Sequence, residues 1–246
     1  YARDVIGLDF CAIADHGFGC MVKGNWERMK QACRDFYDPG SFTTLLAFEV
    51  ETGPQKDGQY YLGHRNIYFK YDDAELLFGD YQPACGGSFP GENVPAYNSV
   101  WDTSVRRFVE FEDLAENLDP EESLVITHHT GSWQWHDPHL QRLVEVCSEW
   151  GVSEPHPIQN KSAISFHGGL LAGYRLGFVG GSDDHFGRPG SWAEQVKEGP
   201  IQNPSGLTAV IAPECSREAV WNALNNRRTY ATTGARILLG VRCGNK

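Results

Sequence analysis

The chain has 246 residues, 41% of them hydrophobic, so one sizeable core and a single domain spanning residues 1–246 are expected. Its 32 Asp and Glu against 21 Lys and Arg give a net charge of −11, which argues against a broad electrostatic grip on nucleic acid or an anionic membrane. No run of about 18 apolar residues occurs, so nothing reads as a membrane span.

The chain opens on Tyr1, and its first residues read as the end of a helix running into a strand, so an upstream segment is expected to be missing. Residues 8–14 (LDFCAIA) form a first buried strand. Asn25 is placed to cap a helix through about Asp35, with Met29, Ala32, Cys33 and Phe36 inward at three- and four-residue spacing. The strand TTLLAFEVE follows at 43–51, then a polar loop, then the aromatic strand HRNIYFKY from His64. Residues 79–102 carry three prolines and four glycines, which predicts a long irregular excursion. An amphipathic helix is expected from about Ser104 to Asn117, with Val105, Phe108, Phe111 and Leu114 inward.

The strand SLVITHH comes next, then LVEVCS, a small-residue helix over Ser162–Tyr174, and the strand LGFVGGSDDH. GLTAVIAP and a helix capped by Ser216 close the pattern. Strands alternating with helical stretches indicate an α/β architecture.

The chemistry lies where apolar runs give way to glycine: DFCAIADH, LLAFEVE, GHRNIYF, SLVITHHTG and GGSDDHFG. A strand finishing in His, Asp or Glu exposes those groups at one rim of an α/β sheet or barrel. His16 ends the first run. Glu49 ends the second, with Glu51 as its rival two residues on and on the same face. His64 opens the third. His128 and His129 face opposite sides of an extended strand, and His128 is favoured for the shared site. Asp183 and His185, two apart on an extended segment, point the same way. Each motif alone has a plain reading as a solvated or hydrogen-bonded strand end; five converging on one pocket would make a metal cluster.

Imidazole and carboxylate without thiolate suit Zn²⁺, Mn²⁺ or Fe²⁺ at a hydrolytic site, and Glu49 is suited to bridge two ions. Arg65 and Arg188, each beside a ligand motif, are candidate phosphate donors, while Trp133, Trp135 and Trp192 are candidate pocket walls. The seven cysteines show no C-x-x-C pair, so free thiols are expected, leaning toward a cytoplasmic setting.

LDFCAIADH, GHRNIYF, THHTG, GGSDDHFGRPG and RRTYATTGARI resemble the PHP (polymerase and histidinol phosphatase) superfamily. The closer likeness is to a bacterial branch still labelled a domain of unknown function. The resemblance implies a distorted TIM-like (β/α)₇ barrel and hydrolysis of a small phosphoester or related anionic ester by metal-activated water. It implies one to three divalent ions per chain: His16 and His185 helping to hold one, His64 and His128 another, Glu49 bridging, and Asp183 a further ligand. Asp183, His128 and Arg188 are the expected catalytic residues. The family's first strand, with its His-x-His pair, has no counterpart after Tyr1. Sulfate or phosphonate ester hydrolysis at the same site, or a binding module without catalysis, are the alternatives.

Overall fold

The central strand segments carry apolar residues at consecutive positions, and the fold uses both resulting faces. The computed structural model describes residues 1–52, 55–56, 59–60, 63–79, 102, 104–108, 111–128, 133, 135–149, 151–153, 166–191 and 205–244. After a π-helical turn at Ala2–Ile6 come β1 (Phe10–His16), α1 (Gly17–Cys20), α2 (Asn25–Asp35) and β2 (Thr43–Thr52). Then follow β3 (Gln55–Lys56), β4 (Gln59–Tyr60), β5 (Gly63–Phe69), β6 (Leu77–Gly79), β7 (Arg106–Phe108), α3 (Phe111–Ala115) and β8 (Ser123–Thr127). The remainder is β9 (Leu143–Ser148), β10 (Gly151–Val152), α4 (Phe166–Leu171), β11 (Gly177–Gly180), β12 (Leu207–Val210), α5 (Arg217–Asn225) and β13 (Thr229–Thr232).

The main sheet has the order β1-β2-β5-β8-β9-β10, with β11 also paired to β9, and curls into a half-barrel. β1 and β2 are parallel, as are β8, β9 and β11, but β5 runs antiparallel to both β2 and β8. The sheet is therefore mixed, which corrects the uniformly parallel arrangement that a (β/α)₇ barrel implies. β10 is antiparallel to β9 as well, but it is the reversal of β5 that bears on the rim: the end of β5 lying beside the carboxyl ends of its neighbours is its amino end.

Period-two alternation divides the core. Leu46, Phe48, Val50, Ile67, Phe69 and Val125 face outward onto Trp26 and Met29 of α2 and onto Phe111 and Leu114 of α3. Leu45, Leu124, Ile126, Leu143 and Val179 face the concave side, with Val220, Trp221 and Leu224 of α5 closing over them. Burying each such side chain contributes about 1.5–3 kcal/mol.

Several expectations change in detail. α2 has the expected span, but Gly24 in a left-handed conformation is its cap, and Asn25 instead donates its amide to the Gly19 carbonyl. The helix foreseen over Ser104–Asn117 is replaced by β7, paired in parallel with β6, and then the short α3. Val105, Phe108, Phe111 and Leu114 still reach the outer core, so tertiary pairing overrode the local period without changing which residues are buried. α4 occupies Phe166–Leu171; residues 162–165, and all of 79–102 except Gly79 and Asp102, lie outside the described residues. Ser216 caps α5 as expected, accepting from the Ala219 N–H at 3.2 Å. The described cysteines are thiols, and burial pushes Cys11 up to about 12 and Cys33 to about 11, out of the reactive range.

One glycine permits a backbone crossing beneath the rim. The Gly206 N–H donates to the Gly181 carbonyl at 2.9 Å, and a Cβ at position 206 would lie 2.3 Å from the Cys147 carbonyl oxygen. Gly206→Ala is therefore expected to lower stability by about 1–3 kcal/mol through forced separation of the two backbones. Urea denaturation checks this, and an unchanged midpoint would show that the crossing tolerates a methyl group.

Candidate metal centre

Strand direction explains how residues far apart in sequence arrive at one rim. His16 is the last residue of β1 and stands opposite Glu49 of β2 in the parallel register. His64 follows the first residue of β5, His128 follows the last of β8, and Asp183 lies three residues beyond β11. Four carboxyl ends and one amino end thus meet, which is why His64 opens its apolar run whereas the others close theirs. β1, β2, β5 and β8 place their polar residues in phase with the concave-face residues Ala12, Leu45, Tyr68 and Ile126.

Glu49 sits at the centre and is buried. Its Oε1 lies 2.5 Å from His64 Nδ1 and 4.0 Å from His128 Nε2, and its Oε2 lies 3.5 Å from His16 Nδ1. His128 Nε2 is also 3.1 Å from Asp183 Oδ2. The rings of His16 and His64 are 6.2 Å apart between centroids, those of His16 and His185 5.7 Å, and those of His64 and His128 6.4 Å. All six expected ligand residues are therefore in one cluster.

The route of Asp183 and His185 into it differs from the extended one foreseen. β11 ends at Gly180, and Asp183 takes a left-handed conformation with φ 54°, which Asp tolerates better than most residues. His185 Nδ1–H donates to the Asp183 carbonyl at 3.0 Å, and the Asp184 carboxylate accepts from the Arg188 N–H, closing the turn. Asp183 thereby turns toward His128, while His185 remains exposed at the lip with its Nδ1 3.9 Å from Asp183 Oδ1.

Electrostatics follow from this crowding. Burial alone would raise the Glu49 carboxyl, but the His64 hydrogen bond and the positive charge of His128, His64 and His16 outweigh it and hold it at about 2. Burial opposes protonation of His128, yet Glu145 and Asp183 overcome it and raise the imidazole well above its usual range. Glu145 itself is raised, by burial first, against the pull of His128.

Glu145 was missed in the sequence. It lies within β9, with Oε1 2.9 Å from His128 Nδ1. The available signal was a lone carboxylate inside the apolar run LVEVCS, a placement that demands a partner. Two other expectations are corrected. Arg65 is fully buried on the outer face, 4.9 Å from the Phe111 ring and 5.5 Å from that of Trp135, because the residue after His64 must point the other way. Trp135 is 4.8 Å from the Phe111 ring, and so belongs to that outer layer. Trp133 packs beside Tyr174, its ring filling the space left by Gly168 and Gly169. Arg188 is half-buried, its guanidinium 5.5 Å from the Phe186 ring. The side chain of Glu51, and His129 and Trp192 entirely, lie outside the described residues.

The concave face also carries a half-open cavity of about 480 Å³; Asn66, Tyr68, Ile126 and Glu145 line part of it, but none of the six cluster residues does. Among the described residues no three His, Cys, Asp or Glu side chains form a ready-made ligand cage, because imidazoles and carboxylates close on one another. The donor set nevertheless fits a divalent cation in kind. Four imidazoles and two carboxylates converge without a thiolate, and the ring nitrogens that now meet acid oxygens are lone-pair donors once deprotonated.

The chain belongs to the family described as "Protein of unknown function (DUF3604)", whose model matches residues 10–80 and 191–246. That match includes His16, Glu49 and His64 but not His128, Asp183 or His185. The chain is 26% identical over 226 residues to an uncharacterized protein of Chlamydia pneumoniae, covering 87% of this chain and 32% of that one. It is 33% identical over 114 residues to an uncharacterized protein of Chlamydia trachomatis, covering 42% and 18%. The chain thus spans a third or less of the length of these relatives. Among solved structures, it is similar to a two-domain protein containing a predicted PHP-like metal-dependent phosphoesterase from Bacteroides vulgatus. There the TM-score is 0.45 at 17% identity, over 92% of this chain and 56% of the other. Among the described residues no helix is long and apolar enough to cross a membrane.

Proposed function

We propose that this chain is a metal-dependent hydrolase of phosphoester bonds, built on a PHP-like curled barrel. The observation that carries the reading is the convergence of His16, Glu49, His64, His128, Asp183 and His185 on one rim from five separate strands or strand ends. His16 and His185 would hold one divalent ion, His64 and His128 another, with Glu49 between them and Asp183 beside His128. Bound there, Zn²⁺, Mn²⁺ or Fe²⁺ supplies positive charge for a phosphoryl oxygen and lowers the pKa of water toward neutrality.

The chain's own residues do the rest. Asp183, 3.1 Å from His128 Nε2, holds that imidazole and is placed to accept a proton at the rim. Arg188, on the turn that carries Asp183, supplies guanidinium donors to the anionic ester. With a net charge of −11, the chain attracts an anionic ester through local cations rather than through its overall field.

Loading the metal-free protein with each cation and assaying chromogenic phosphate mono-, di- and triesters, with sulfate and phosphonate esters alongside, tests this reading. Turnover of phosphoesters is expected, preference for another ester would reassign the substrate, and no turnover with any would remove the enzyme. Asp183→Ala is expected to lower turnover by about 100-fold or more with the fold intact by circular dichroism. Unchanged turnover would refute the role of Asp183. The mutual closure of acids and imidazoles favours a second reading, a binding module without catalysis. Binding of less than about one ion per chain would select it.

A further inference from the structure

His128 meets a carboxylate at both edges of its ring. Its Nε2 edge faces the cluster, 3.1 Å from Asp183 and 4.0 Å from Glu49, while its Nδ1 edge faces Glu145 Oε1 at 2.9 Å. Both His128 and Glu145 are buried, so water does not compete for the contact. Glu145 is confined on one side. It sits in the middle of β9, and its Oε2 lies so near Gly181 that a Cβ there would stand 3.1 Å from it. An imidazole binds a cation through one nitrogen, and the partner of the other nitrogen decides which one carries the lone pair.

We propose that Glu145 is a positioning residue for the cation site: by holding the Nδ1–H of His128 it leaves Nε2 to face Glu49 and Asp183. This rests on the metal-site reading above and adds a residue to it that touches no ion or substrate itself. Any side chain lacking an acceptor at that depth would free the ring to turn or to exchange its tautomer, and the site would lose its orientation rather than its ligands.

Two measurements on the whole chain separate this proposal from the reading on which it rests. In the metal-free protein, proton–nitrogen correlation spectra of the His128 ring should show a protected Nδ1–H in the wild type. Glu145→Ala should lose that protection, and Glu145→Gln, which keeps an acceptor and the same volume, should retain part of it. An Nδ1–H equally protected in Glu145→Ala would overturn the role of Glu145 whether or not the protein binds metal. Second, Zn²⁺ affinity measured by competition with a chelator should fall about 10–100-fold in Glu145→Ala, less in Glu145→Gln. Equal affinity of the wild type and Glu145→Ala would also overturn the proposal. A wild type with no Zn²⁺ uptake but the expected Nδ1–H pattern would sink the metal-site reading, and with it the purpose assigned to Glu145, while leaving the pairing established. Should Glu145→Ala fail to fold, Gly181→Ala, which presses on Oε2, should weaken Zn²⁺ binding in the same direction, and an unaltered affinity there counts against the proposal.

Discussion

Glu49→Gln is expected to destabilise the metal-free protein by about 3 kcal/mol at pH 7 and to reduce Zn²⁺ uptake and ester turnover by about 100-fold or more. Removing one member of a buried ion pair typically costs about 3–5 kcal/mol, because the remaining charge is left in a poor medium, and here that charge is on His128, whose Nε2 lies 4.0 Å from Glu49. Independently, the Glu49 carboxyl is held at about 2 against an ordinary value of 4.5, which corresponds to about 3 kcal/mol. A depressed carboxyl contributes its full stabilisation above the unfolded value and loses it as the pH falls through the folded one. The gap between wild type and Glu49→Gln should therefore narrow below pH 4.5 and close near pH 2, as measured by urea denaturation in the presence of a chelator. A constant gap across that range would mean that packing, not charge, accounts for the loss.

Raising the pH should act in opposite senses on the two states of the site. The His128 imidazole lies well above its ordinary 6.5, so its stabilising charge is fully present below 6.5 and is lost as the pH rises through the elevated value. The metal-free protein should accordingly lose stability on the alkaline side. Cation binding needs the same ring deprotonated, so Zn²⁺ affinity should climb by at least about tenfold per pH unit while His128 remains protonated in the free protein. Chelator competition between pH 6 and 8 measures this. An affinity independent of pH in that interval would show that no proton leaves His128 when zinc arrives.

Much of the site was legible because the information was local. A period of two and a polar residue at a run's end are properties of a few adjacent residues, and they identified His16, Glu49, His64 and His128 together with the strands that carry them. Parity also contained the correction for Arg65: if His64 faces the cluster, its neighbour faces Phe111 and Trp135. Where the reading missed, the deciding contact was distant. Arg106–Phe108 became a strand only because Leu77–Gly79 lies alongside, and no pattern within 104–117 reports that. Asp183 reached His128 through a left-handed residue, not an extended segment, since the turn is closed by Asp184 and Arg188. Glu145 stood out only as an unpaired charge in an apolar run, without indication of which imidazole it would meet.

By itself, the amino-acid pattern determined most of the apolar core, the strands β1, β2, β5, β8, β11 and β12, and that acids and imidazoles lie at their ends, because hydrophobic alternation acts over one or two residues. Only the tertiary structure decided that β5 runs against its neighbours, that its amino end joins four carboxyl ends, and that Glu145 stands behind His128. Strand order and direction arise from backbone pairing between segments tens of residues apart, where side-chain periodicity is the same for either direction and so carries no instruction.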